Sequence, residues 1–240
     1  MRRAARKGAT SAMTVRPTRV WDLPVRLFHW LLVLLVAFQF YSGNVGGNVM
    51  RWHMLAGYAI LTLVLFRIAW GIAGSTTARF AQFLVGPRAA LAFARRLLSR
   101  SPAPHAGHNP IGGWMVIALL GALALQAASG LFANDDISTE GPLAVLVSKA
   151  TSDRMTEIHR ANYVVLLVLT ALHVCAVLYH WLVKKEDLIG AMFTGVRRLP
   201  EDVAQKMSAA HFESVWRALG LIAAASVLVW LIVSKTFIKP

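Results

Sequence analysis

Four histidines carry the chemistry of this sequence. His29, His53 and His173 lie inside runs that contain no charged side chain, and His159 stands two residues ahead of another such run. A polar ring in apolar surroundings costs free energy unless something binds it. Metal ligation, a hydrogen bond to a neighbouring helix and a proton relay are the three ways to satisfy it. The segment "EIHRANYVVLLVLTALHVCAVLYH" holds two of the four, fourteen residues apart. On a helix that spacing returns both rings to within about 40° of one face, about 21 Å apart along the axis. One helix thus presents two imidazoles at two depths.

The elements that position them follow from hydropathy. Of 240 residues, 57% are hydrophobic and mean hydropathy is +0.55. The excess is concentrated in charge-free runs at 27–50, 52–66, 109–134, 161–183 and 218–234. A membrane-spanning helix needs about 20 apolar residues. The runs predict five such helices at about 27–43, 52–74, 112–133, 158–183 and 216–234, with Arg67 inside the second. The expected fold class is all-α, an integral membrane helical bundle. Small residues Gly113, Gly121, Ser129 and Gly130 suit close approach to the third helix.

The net charge of +14 is a topology signal rather than a nucleic-acid footprint. Segments 1–26, 75–111 and 184–217 carry 18 Lys and Arg against 6 Asp and Glu; the other side carries 6 against 5. The first side is therefore expected to be cytoplasmic, with the N-terminus inside and the C-terminus outside. The single Cys175 allows no internal disulfide and no Cys-x-x-Cys-His attachment of a c-type haem.

Helix direction then pairs the histidines. His29 opens the first helix on the inner side, and His53 opens the second on the outer side. The fourth helix descends from outside, which puts His159 outer and His173 inner. The expected pairs are His53 with His159 and His29 with His173. Two imidazoles facing across a bundle suit iron with both axial positions filled, so the set predicts two non-covalent b-type haems. Zinc would want four ligands at one depth, and a relay would want intramembrane carboxylates.

The stretches "VWDLPVRLFHW", "RWHMLAGYAILTLVLFRIAWG", "GHNPIGGWMV" and "IHRANYVVLLVLTALHVCAVLYHWLVKKEDL" resemble the bacterial cytochrome b561 and nickel–iron hydrogenase b-type cytochrome family over residues 18–195. The resemblance implies a four-helix, di-haem, quinone-linked electron carrier of the bacterial inner membrane. It implies the same four axial ligands, His29, His53, His159 and His173. The chain departs from that pattern in a longer second loop and in its fifth, C-terminal helix. The expected organisation is a mobile basic tail (1–18), a di-haem domain (19–195), and a linker with the last helix (196–240).

Around this core stand further candidates. Arg67, fourteen residues after His53, faces inward with no acidic side chain expected at its depth; it and Arg160 are candidate propionate partners, as are Arg26 and Arg51. His180, about 10 Å beyond His173, is a candidate quinone contact at the inner surface. His105 and His108 are expected to be solvated loop residues, and 87–100 an amphipathic helix on the inner membrane surface. The loop 134–157, with Asp135, Asp136 and Glu140, is expected to be the longest outer segment and a docking surface for a basic partner. The expected function is electron transfer between an outer redox partner (a c-type cytochrome, dehydrogenase or hydrogenase subunit) and the quinone pool, as a subunit rather than a stand-alone enzyme. A superoxide:quinone oxidoreductase and a haem-free transporter or scaffold are the alternatives.

Overall fold

Chain direction and helix capping set the architecture of the computed structural model, which describes residues 14–97 and 105–234. A short strand β1 (Val15–Arg19) leads to α1 (Leu23–Val45). Asp22 caps α1, its carboxylate accepting the Val25 N–H at 2.8 Å, with Pro24 in the first turn where no donor is needed. Gly46 and Gly47, at φ of +66° and +56°, make the tight reversal to α2 (Met50–Ala73). Two short elements follow, α3 (Phe80–Phe83) and α4 (Pro87–Leu97). Asn109 caps α5 (Pro110–Gly130), and Ser148 caps α6 (Lys149–Leu182). The chain closes with α7 (Leu188–Thr194), β2 (Val196–Pro200), α8 (Glu201–Met207) and α9 (Val215–Ser234).

Five of these helices are long and apolar enough to cross a membrane: α1, α2 with the 3-10 turn before it, α5, α6 and α9. Their outer faces are apolar and exposed, as lipid contact requires. Helix α6 differs from the expected span, beginning at Lys149 rather than near 158. Hydropathy marks the hydrocarbon, not the helix; 34 residues reach about 51 Å, well beyond a core of about 30 Å. The expected loop 134–157 is correspondingly shorter. Of the small residues on α5, a Cβ on Gly113 would meet Phe83 at 3.0 Å and one on Gly130 would meet His159, whereas Gly121 faces open space.

A further packed region lies at the span ends, on the face where the basic segments gather. β1 and β2 pair antiparallel, from Val15 opposite Pro200 to Arg19 opposite Val196. Val20 and Trp21 both donate to the Gly195 carbonyl, at 2.8 and 3.1 Å. Val20, Trp70 and Leu199 are essentially inaccessible there. The described residues are all-α, as expected, apart from this ribbon, in which residues 15–18 of the expected mobile tail form a paired strand. Residues 1–13 lie outside the described residues, as do 98–100 of the expected surface helix. The pairing also bridges the expected boundary at 195/196. Alternation is short in both strands, so neither stands out beside the long apolar runs.

α5 packs along α6, α2 along α5 and α9, and α1 along α2. Neither α1 nor α2 packs closely along α6. Long side chains meet across that interval instead, Phe40 and Tyr163 edge to face with centroids 5.6 Å apart.

Candidate cofactor site

The interval between α6 and the α1–α2 hairpin is where the four histidines face each other. His53 and His159 place their ring centroids 6.2 Å apart; His29 and His173 place theirs 6.3 Å apart. An imidazole nitrogen bonds a transition metal at about 2.0–2.1 Å and lies just over 1 Å from its ring centre. Two imidazoles on opposite sides of one metal therefore put their centroids about 6.4 Å apart. Both pairs fit that separation. Among the described residues, no group of three or more His, Cys, Asp or Glu side chains is placed to share a metal ion. Each pair offers two nitrogens, which suits a metal whose remaining four donors come from a planar macrocycle.

The pair nearer the opposite face is held by its second ring nitrogens. His159 Nδ1 lies 2.9 Å from the Gln126 carbonyl oxygen. A carbonyl only accepts, so Nδ1 carries the proton and Nε2 keeps its lone pair. His53 Nδ1 lies 3.0 Å from the hydroxyl of fully buried Ser42. Glycines let the rings in: a Cβ on Gly130 would come within 3.0 Å of His159, and one on Gly43 within 3.3 Å of His53. Gln126 also donates to the His159 carbonyl and accepts from Asn162, which locks α5 to α6 at this depth. A cavity of about 370 Å³ opens here, lined by both histidines, Gly43, Gly130 and Arg160. The other pair has no such anchor; His29 Nδ1 is buried without a hydrogen-bond partner.

Behind His29 and His173 the structure corrects two expectations. Arg67 is 3% exposed and lies under the Phe80 ring, its guanidinium carbon 5.1 Å from the centroid. Buried Asp22 is within electrostatic reach of it, so Arg67 does have an acidic neighbour. Asp22 precedes the first apolar run, and helix packing draws it inward; its second oxygen accepts from Trp70 Nε1 at 3.0 Å. Arg67 Nη1 is nevertheless buried without a hydrogen-bond partner. His108 is not a solvated loop residue. It is wedged between Trp21 and Phe83, with centroids 4.7 and 4.6 Å away. Burial, with Arg67, His173 and His29 alongside, pushes its imidazole down to about 3, so it stays neutral.

His180 is buried, its Nδ1 3.6 Å from the Glu186 carboxylate. Arg197 holds the same carboxylate at 2.9 Å and donates to the carbonyls of His105 and Ala106. His180 and Arg197 keep the Glu186 carboxyl below its ordinary range. The group ties the end of α6 to β2. Arg160 is exposed beside His159, and Arg26 donates to the Phe193 carbonyl instead of facing the pair. Reading the sequence missed Ser42, Gln126 and Asn162. The available signal was a polar side chain in an apolar run within a turn or two of a histidine's depth.

No curated protein and no solved structure matches the chain. The family model for prokaryotic cytochrome b561 matches residues 20–195, from the strand-to-helix junction through α7. With its five apolar helices and facing imidazoles, the chain belongs to the prokaryotic cytochrome b561 family, multi-pass membrane b-type cytochromes that bind haem b and transfer electrons.

Proposed function

We propose that this cytochrome carries two b-type haems, one between His53 and His159 and one between His29 and His173. It passes electrons between a redox partner at the face opposite the basic segments and a quinone at the basic face. The observation that carries this reading is the repeated centroid separation, 6.2 and 6.3 Å, at two depths of one helix. Haem iron supplies a one-electron couple. The chain's part is to fix the His159 tautomer through the Gln126 carbonyl, to orient the His53 ring through the Ser42 hydroxyl, to hold both pairs in apolar surroundings, and to place charge near them. Arg67 and Arg160 serve as propionate partners, Arg67 through its unpartnered Nη1. His180, with Glu186 on its Nδ1 side, is the candidate quinone contact.

By the positive-inside rule the basic face is cytoplasmic, and apolar helical spans in a prokaryotic family suit the bacterial inner membrane. The N-terminus then lies inside and the C-terminus in the periplasm. The acidic loop with Asp135 and Asp136 is the docking surface for a basic periplasmic donor or acceptor, a c-type cytochrome or a dehydrogenase or hydrogenase subunit. A reduced-minus-oxidised spectrum with haem quantitation tests the core of this reading. Two b haems per chain are expected; a correctly folded preparation from haem-replete cells without Soret absorption refutes it, and favours a haem-free scaffold.

A further inference from the structure

At the face opposite the basic segments, α2, α9 and the loop before α6 border an apolar groove of about 690 Å³. Met54, Leu55 and Ala59 line it from α2, Val145 from the loop, and Val229 and Trp230 from α9. Leu55, Val145 and Trp230 are 46%, 45% and 63% exposed, so the groove opens sideways toward hydrocarbon. Its position at helix ends, with Trp230 in its wall, is that of the interfacial aromatic belt.

Two opposite charges stand at this groove, Arg51 in the first turn of α2 and Glu140 in the loop. Both are exposed. Among the described residues they form no ion pair with each other or with any other side chain. The Arg51 guanidinium instead lies 5.9 Å from the Trp52 ring. A cation and an anion flanking an apolar furrow match a ligand with both charges above a hydrocarbon chain. We propose that the groove binds one phosphatidylethanolamine-type phospholipid. Arg51 takes the phosphate, for which its planar fork of donors is suited. Glu140 takes the ammonium, and an acyl chain runs between α2 and α9. An anionic headgroup would leave Glu140 facing like charge, and a quinone would use neither ionic partner. The lipid cements to the core a helix that lies outside the family-matched residues 20–195.

The test uses the purified full chain, stripped of lipid and offered equal amounts of phosphatidylethanolamine and phosphatidylglycerol with the same acyl chains, read by native mass spectrometry. One phosphatidylethanolamine is expected to be retained in preference. Arg51→Gln and Glu140→Gln each lower its retention about tenfold, the size of one lost charge-assisted contact. Glu140→Gln also moves the preference toward phosphatidylglycerol. Ala59→Phe, which fills the groove and leaves both charges, lowers retention of either lipid. Helical circular dichroism and a single gel-filtration peak report the fold of each variant. Equal retention of the two lipids by the unaltered chain overturns the proposal, and so does full retention by the folded charge variants. One-for-one displacement by a short-chain benzoquinone assigns the groove to a quinone and overturns it too.

Discussion

Replacing Ser42 by alanine isolates one half of the proposed cofactor site. Ser42 is fully buried, and its hydroxyl is the partner of His53 Nδ1 at 3.0 Å. Its other contacts, to the Gln39 carbonyl and side chain at 3.4 Å, are weaker, and the backbone bond from Gly46 survives the change. With the proposed iron on Nε2, His53 Nδ1 carries the proton and the Ser42 hydroxyl accepts it, so alanine removes one acceptor with little change in volume. An N–H left unpaired in a buried site costs about 1–3 kcal/mol. Outer partners of metal-bound imidazoles typically contribute about 10–100-fold to metal affinity. An Nδ1–H bond also makes the ring a stronger donor, which favours the more highly charged ferric state. Losing it raises the midpoint potential. If about 1 kcal/mol of the loss discriminates between oxidation states, the rise is about 45 mV for one electron. Potentiometric titration at the visible bands is the assay. One of two midpoints should rise by some tens of millivolts while the other stays, because the His29–His173 pair has no equivalent bond. In a His29→Ala background the shifted haem should be the one remaining. A shift confined to the haem that survives His53→Ala, or no shift at all, refutes the reasoning.

Alanine at His53 or His159 should lower haem content from two to one per chain and remove the same spectral component; alanine at His29 or His173 should remove the other, by haem quantitation. Asp22→Ala removes both the α1 cap and the acceptor of Trp70 Nε1, and should cost about 2–4 kcal/mol in reversible denaturation. Gly195→Ala should cost about 1–3 kcal/mol by the same measurement, since its φ is +83° and the new Cβ would lie 2.7 Å from the Trp21 carbonyl oxygen. The Glu186 carboxyl is depressed in the fold, so its contribution is complete above its ordinary 4.5 and disappears as pH falls through the lower folded value. Thermal denaturation between pH 7 and 3 should show a steeper acid loss for the unaltered chain than for Glu186→Gln; parallel curves would refute that role.

The number of membrane helices was legible in the sequence because lipid accepts only long apolar helices of limited length, and each such run announces itself. The approach of His53 to His159, and of His29 to His173, was legible for a related reason. Antiparallel helices of fixed rise convert sequence position into depth. Helix α6 exceeded its apolar run because helicity continues wherever a cap and intrahelical bonds allow, in water as in oil. The β1–β2 ribbon stayed hidden because strand pairing between residues 15–19 and 196–200 depends on partners almost the whole chain apart.

Spacing and hydropathy, then, determined by themselves which residues enter the membrane and at what level. They act locally, and the bilayer supplies the missing reference plane. Tertiary packing alone decided how those residues are supported. It set Ser42 and the Gln126 carbonyl against the second nitrogens of His53 and His159, brought Asp22 onto Trp70, and folded His108 between Trp21 and Phe83. Each contact depends on how two helices are rotated against each other, and one residue's position along its own helix carries no record of that.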